Sequence, residues 1–362
     1  MWPCMDVDTI VNDTCARDWQ TVDAVEPVRF AVIGLGWFTR GRALPALAGS
    51  DLCEATVLVS GSAAKAERIA DGTTAGHGIT YSDFHDGAAR DAYDAVYIAT
   101  PNAFHLAYAE TAAALGKHVL CEKPMERDTD RARELVETCA DGGVELMVGY
   151  RMHTEPAVRR ARDLIEEGYV GEPIAVDGDM SQRLLDRVNP DPDQWRLDPD
   201  LAGGGALFDI GIYPLNTARF LLDADPVAVT GRTSRTHEAF AGVDETVSVA
   251  LEFPADVTGR CFASHNARQA SSITVTGTEG VVRLEPAFFQ DQDRKLHLSR
   301  GDGRATIEFD RVDQMREEFD YFADRLRGSA PILPDGDHGL VDVRTMEAVY
   351  DAAETDRWVS VP

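Results

Sequence analysis

Apolar and polar positions follow two different rhythms along this chain, and the rhythm changes near residue 150. In the first half, short apolar runs at 28–33, 55–59, 95–99, 118–121 and 145–148 are separated by stretches with helical spacing, among them 63–70, 104–115 and 128–140. Strand and helix alternating in this way predict a parallel sheet covered by helices on both faces. After a helical run at 155–167 that ends at Gly168, strand-like segments dominate, at 174–184, 227–235, 243–253, 257–264, 272–276 and 280–285. The last two flank Gly277-Thr278-Glu279, a hairpin signal. Successive hairpins predict a largely antiparallel open sheet with one face buried on helices, and helices at 314–326 and 341–355 close the chain.

The first apolar run leads into Gly34-Leu35-Gly36-Trp37-Phe38-Thr39. The first glycine permits a tight turn, and the second lets a pyrophosphate approach the backbone at the positive end of the following helix. Thr39 stands where that fingerprint expects Gly or Ala. The expected fold is therefore α/β plus α+β, a Rossmann parallel sheet at 28–148 followed by a substrate-binding and oligomerisation domain at 149–362, with 1–27 as an arm. The end of the second strand indicates which nicotinamide cofactor binds. A carboxylate there would hold a ribose diol and repel a 2′-phosphate. This chain instead has Ser60-Gly61-Ser62 and then Lys65, hydroxyls and a cation that suit NADP, with Arg40 and Arg42 as the next candidates.

The candidate chemistry lies further along. Gly203-Gly204-Gly205 precedes Ala206-Leu207-Phe208-Asp209-Ile210-Gly211-Ile212-Tyr213, which sets an acid and a phenol just over one helical turn apart. Upstream, Glu122-Lys123-Pro124 ends an apolar run. Together these suggest a proton-transfer group of Lys123, Asp209 and Tyr213. A phenol titrating near about 10 is a poor base at neutral pH, so a nearby ammonium is needed to stabilise the phenolate. Lys123 is the candidate for that task, and the competing assignment makes Lys123 itself the base.

The 362 residues carry a net charge of −27, with 4 Lys against 31 Arg and 39 Asp against 23 Glu. Such a balance repels nucleic acid and anionic membranes and matches adaptation to a high-salt cytoplasm. Cys4, Cys15, Cys53, Cys121, Cys139 and Cys261 are scattered without metal-ligand spacing, so no metal is expected and the thiols fit a reducing compartment. No apolar stretch reaches membrane-spanning length. The expected location is the cytoplasm.

Seven motifs in order resemble those of the glucose-fructose oxidoreductase / inositol dehydrogenase (Gfo/Idh/MocA) family over residues 28–358. They are Gly34-Leu35-Gly36, Val59-Ser60-Gly61, Thr100-Pro101-Asn102 with His105, Cys121-Glu122-Lys123-Pro124-Met125, Gly149-Tyr150-Arg151, Gln194-Trp195-Arg196 and Gly203 to Tyr213. Tyr213, where much of the family carries His, resembles the branch of glucose-fructose oxidoreductase and of NADP-dependent aldose dehydrogenases, including those of salt-loving archaea. The resemblance implies Lys123, Asp209 and Tyr213 as the catalytic group. It also implies a cofactor pocket drawn from the glycine turn, Trp37, Phe38, Ser60, Gly61, Ser62, Lys65, Thr100, Pro101, Asn102, His105, Glu122, Lys123, Arg151, Trp195 and Arg196. His153 and His265 remain pocket candidates without a role. The implied activity is NADP-dependent oxidation of an aldose such as D-xylose at C1 to its lactone, in a homodimer or homotetramer joined through the second sheet. Sugar transhydrogenation, dihydrodiol oxidation and non-catalytic NADP sensing are the alternatives.

Overall fold

The computed structural model describes residues 17–23 and 26–362. Most of the expected 1–27 arm, with Cys4 and Cys15, lies outside the described residues. Its described part is tied down: Arg17 pairs with Glu317 at 2.8 Å, Thr21 bonds Asp324 and Asp18 bonds Arg159.

Six parallel strands form the first sheet: β1 Val28–Ile33, β2 Cys53–Ser60, β3 His77–Thr80, β4 Ala95–Ile98, β5 His118–Glu122 and β6 Leu146–Gly149, in spatial order β3-β2-β1-β4-β5-β6. Both faces of β1, β2, β4, β5 and β6 are largely buried, which is why these strands read as apolar runs rather than as alternation, whereas the edge strand β3 is partly exposed, has no such run and was not expected from sequence. Phe30, Val32, Leu58 and Tyr97 pack under the Gln314–Arg327 helix through Met315, Phe319 and Phe322. Ala31, Ile33, Val57 and Ile98 face Ala109, Ala112 and Leu135 on the other side. A helix from the end of the chain thus completes the core of the first sheet. A division at 148/149 is crossed by this packing.

The second sheet has nine strands in the order β14-β13-β12-β11-β7-β10-β9-β8-β15. They are β7 Pro173–Arg183, β8 Ala228–Ser234, β9 Thr246–Glu252, β10 Thr258–Ser264, β11 Asn266–Gly277, β12 Gly280–Leu284, β13 Arg294–Arg300, β14 Gly303–Phe309 and β15 Val359–Ser360. All its pairings are antiparallel except β7 with β10, so the sheet is mixed but largely antiparallel. In β9 the residues Val247, Val249 and Leu251 turn inward while their neighbours face out, the alternation expected of a sheet with one covered face. β13 and β14 add a hairpin that the sequence reading did not include.

Candidate active site

The order of the first sheet reverses between β1 and β4, and the loops after those strands form the crevice where ligands of such sheets bind. Gly34 has φ +94°, and a Cβ there would lie 2.5 Å from the Ala99 carbonyl oxygen. A Cβ at Gly36 would meet nothing within 4 Å, so its backbone is open to an approaching group. Thr39, the departure from the fingerprint, is buried and donates its hydroxyl to the Gly34 carbonyl at 2.6 Å, fixing the turn. Trp37 stands half exposed beside it and packs edge-on against Phe38. At the end of β4 the buried Thr100 hydroxyl has no partner in the protein. An open glycine backbone and an orphaned hydroxyl at the switch point fit a dinucleotide pyrophosphate.

Lys123, at the end of β5, meets Asp209 and Tyr213 as the motif spacing predicts. Asp209 lies in a wide π-type turn, Leu207–Gly211, that runs into the Ile212–Leu222 helix carrying Tyr213. The Lys123 ammonium donates to the Asp209 carbonyl at 2.8 Å, lies 3.8 Å from its carboxylate and sits 4.8 Å from the centre of the Tyr213 ring. It does not bond the phenol. Arg151 does, donating from Nε at 3.0 Å and Nη2 at 2.8 Å.

Arg196 and His265 complete the surroundings of Asp209, at 3.5 and 3.4 Å from its Oδ2. Burial works to raise the Asp209 carboxyl, but Arg196, Lys123 and His265 outweigh it and hold the group below the usual carboxylate range. Asp209 is therefore held as an anion, and its carboxylate can only accept hydrogen bonds. Burial lowers the His265 imidazole against the pull of Asp209 and Asp244. Trp195 stacks under the Arg196 guanidinium at 4.6 Å.

The glycines before Asp209 are required by packing. Gly203 has φ +80°, and Cβ atoms at Gly204 and Gly205 would run into Tyr350 and Asp244. The Asp244 carboxylate accepts from the N–H groups of Gly205 and Leu207 at 2.8 and 2.9 Å, clamping the start of the turn. Asn102 donates to the Ala202 carbonyl at 2.8 Å from a buried position. His105, also buried, directs both ring nitrogens at the carbonyls of Thr100 and Met125. Asn102 and His105 thus tie the loop after β4 to its neighbours, and Pro101 joins them to β4. Glu122 accepts from Tyr97 at 2.6 Å. His153 lies away from the pocket, stacked on Phe220 and bonded to Asn216.

At the far end of the crevice, Ser60 is buried and the Ser62 hydroxyl caps the Ala63–Ala70 helix by accepting from the Lys65 N–H at 3.3 Å. Gly61 packs against the Tyr81 ring. Burial lowers the Lys65 ammonium, and Arg40 and Arg68 lower it further, which gathers three cations beside this helix. In a chain of net charge −27 such a cluster is an anion-attracting place. Among the described residues no group of three or more His, Cys, Asp or Glu could hold a metal ion, and no helix is long and apolar enough to cross a membrane.

Residues 28–150 match the oxidoreductase family with an NAD-binding Rossmann fold, and residues 158–283 match the GFO/IDH/MocA C-terminal domain. The chain is 56% identical over 358 residues to the D-xylose 1-dehydrogenase [NADP(+)] of Haloarcula marismortui, covering 98% of this chain and 99% of the relative. It belongs to the Gfo/Idh/MocA family. D-xylose 1-dehydrogenase (NADP(+)) 2 of Haloferax volcanii is 32% identical over 90% of this chain and 97% of its own length. Among solved structures, the aldose-aldose oxidoreductase of Caulobacter crescentus complexed with glycerol superposes with a TM-score of 0.86 at 30% identity, covering 92% of this chain and all of that one.

Within this Gfo/Idh/MocA chain the motifs bring Lys123, Asp209 and Tyr213 together, but they do not foretell who bonds whom. Arg151, expected on the cofactor, donates to Tyr213 and Gln314. Gln314 and Asp244 gave no local signal, since each reaches the site from a distant element, and Glu155, though close to Arg151 in sequence, is linked to it through Gln314. His265, left without a role by sequence, faces Asp209.

Proposed function

We propose that this chain is an NADP-dependent D-xylose 1-dehydrogenase, which oxidises the sugar at C1 to its lactone. The observation that carries this is the convergence of Lys123, Asp209 and Tyr213 beside an open dinucleotide crevice, in a chain 56% identical end to end to a D-xylose 1-dehydrogenase. The test is NADP reduction against a panel of pentoses and hexoses in molar salt. D-Xylose should rank among the most efficient substrates, and the absence of turnover with any aldose would overturn the reading.

When bound, NADP supplies the acceptor for the hydride that leaves C1. Gly34, Leu35, Gly36 and Thr100 would cradle its pyrophosphate, Trp37, Phe38, Trp195 and Arg196 would wall the pocket, and Lys65 with Arg40 would face its 2′-phosphate. Tyr213, as phenolate, takes the proton of the C1 hydroxyl, so that the sugar gives up one proton and one hydride in forming the lactone. Lys123 bonds the same sugar oxygen. Asp209, held as an anion, fixes the lysine and the second sugar hydroxyl through its remaining lone pairs. General-base help of this kind is worth about 10²- to 10⁴-fold in rate.

The same reading places the enzyme in the cytoplasm of a high-salt organism. Its acidic surface and its two haloarchaeal relatives support this, as do the buried free thiols Cys53, Cys121, Cys139 and Cys261. Raising salt from 0.1 M to 1 M shortens electrostatic range from about 10 Å to about 3 Å, so the melting temperature should rise with salt. A melting temperature independent of salt would count against the habitat. The enzyme assembles as a homodimer or homotetramer through the uncovered face of the second sheet. That face carries a shallow depression of about 690 Å³ with Thr230, Ser248, Arg260, Phe262, Ser272 and Thr274 on its walls. Light scattering of the purified chain decides this point.

A further inference from the structure

Behind the Tyr213 phenol stands a file of buried polar side chains that the mechanism above leaves unused. Two arms of the Arg151 guanidinium donate to the phenol oxygen, at 3.0 and 2.8 Å, and the third donates to the Gln314 side-chain carbonyl. The Gln314 amide in turn donates to the Glu155 carboxylate, and Glu155 lies 4.0 Å from the Arg294 guanidinium. All four side chains are buried, none more than 8% exposed. They come from the turn after β6, the start of the Pro156–Glu166 helix, β13 and the first turn of the Gln314–Arg327 helix. Such an arrangement across four elements is costly to bury unless each member is paired.

A guanidinium keeps its charge at every working pH and presents its donors in a rigid fork. Both cations lie over the Tyr213 ring, Arg151 at 4.7 Å and Lys123 at 4.8 Å, but only Arg151 bonds the phenol, while Lys123 donates to the Asp209 carbonyl. We infer that Arg151 is the cation that stabilises the Tyr213 phenolate, and that Gln314 and Glu155 are positioning residues that aim its guanidinium at the phenol. This rests on the reading of Tyr213 as the base, and it leaves Lys123 free for the sugar oxygen.

The groups facing this centre are few. Lys123 approaches from β5, Asp209 from the turn before the Tyr213 helix, and Arg294 from β13 behind Glu155. The Gln314–Arg327 helix presents Glu318, whose two carboxyl oxygens are buried without partners. Burial, with Glu122 nearby, holds that carboxyl well above its usual range, against the pull of Arg151 and Lys123. Glu318 is thereby biased toward its neutral form, which weakens its competition with Tyr213 for the Arg151 charge.

The test is the pH profile of kcat/KM for D-xylose in the wild type and in Arg151→Met, Gln314→Leu and Tyr213→Phe, with NADP affinity measured by nucleotide fluorescence. Activity in the wild type should rise with pH to a plateau. In Arg151→Met the rising limb should move upward by about one to two pH units, a loss of about 10- to 100-fold at neutral pH that narrows as pH rises. Gln314→Leu should move the limb the same way by less, and NADP affinity should stay within about twofold in both. A merely structural role would lower activity equally at all pH values, so an unshifted limb in Arg151→Met overturns the inference, as does a loss of NADP affinity that places Arg151 on the cofactor. If Arg151→Met does not fold, Arg151→Lys takes its place, with a smaller upward shift expected and an unshifted limb overturning the inference. Tyr213→Phe separates the two readings. Full activity in it removes the base assignment itself, whereas its inactivity together with an unshifted Arg151→Met profile removes the Arg151 inference alone.

Discussion

Two polar clusters share the Ile212–Leu222 helix, one around Tyr213 at its start and one around Asn216 and Arg219 further along, and they are built on opposite principles. In the second, His153 bonds Asn216 at 2.9 Å, Asn216 donates to His338 and Asp342 at 2.8 and 2.7 Å, and Arg219 bridges Asp342 and Asp225 at 2.7 and 2.6 Å. In the first, Asp209 stands 3.4 to 3.8 Å from three positive or potentially positive groups, and Thr100, Arg196 and His265 keep polar atoms without a hydrogen-bond partner. Short, nearly saturated contacts stabilise a fold because little is left unpaired. Long contacts with spare donors are what a site shows before its ligand arrives. The same helix thus carries a fastener, closed by short bonds although His153 Nδ1 lacks a partner, and a reaction centre, where Arg151 holds Tyr213 by short bonds but the contacts to the Asp209 carboxylate are long.

Breaking the fastener should have the largest effect. Asp342→Ala leaves the buried Arg219 without its inner partner, and such a loss costs about 3–5 kcal/mol. Urea unfolding in molar salt should show it, while the enzyme that remains folded keeps turnover within a few fold. A large loss of turnover at unchanged stability would mean that the two clusters are one.

Acid should reach the fastener first. Burial and then Arg219 and Arg162 depress the His338 imidazole to about 2, and burial with His338 places His153 well below its usual range. Both rings are neutral when folded but take up protons when unfolded, so their contribution is whole above about pH 6.5 and falls as pH drops toward the folded values. Each ring should remove about 1.4 kcal/mol of stability per pH unit within that window. His338→Gln should flatten the slope by about one proton, as read from unfolding free energies between about pH 4 and 7. An unchanged slope would show that the ring is not held neutral.

The smallest expected effect sharpens the reaction side. NADP should exceed NAD by at least about tenfold in kcat/KM, a difference of about 1.4 kcal/mol. With Ser60 buried and Ser62 spent on its cap, the preference should rest on Lys65 and Arg40, so Lys65→Met and Arg40→Ala should each weaken NADP while leaving NAD within about twofold. Equal efficiencies in the native chain would place no phosphate there.

Much of the fold is legible because local patterns set it. The apolar runs of β1, β2, β4, β5 and β6 are buried on both faces, and Gly277-Thr278-Glu279 joins β11 to β12 as its residue types demand. The β13–β14 hairpin also carried a signal, Leu296 and Leu298 inward and Gly301-Asp302-Gly303 at the turn, but charged residues between them masked the alternation. In the site, Lys123, Asp209 and Tyr213 were legible because two short motifs contain them. The Arg151 bond to Tyr213 was not, nor were Gln314, Glu155 and Asp244. Those contacts join residues up to 163 positions apart, and no local periodicity encodes them. The approach of the His105 ring to the Thr100 and Met125 carbonyls was not legible either, since Met125 lies twenty positions away.

The central claim is that Tyr213 removes the proton when D-xylose is oxidised with NADP. It is tested most directly by Tyr213→Phe assayed for NADP reduction with D-xylose in molar salt, with NADP binding followed by fluorescence on the same preparation. The account predicts turnover lower by about 10²-fold or more with NADP affinity and melting temperature unchanged. Turnover near that of the wild type would contradict it.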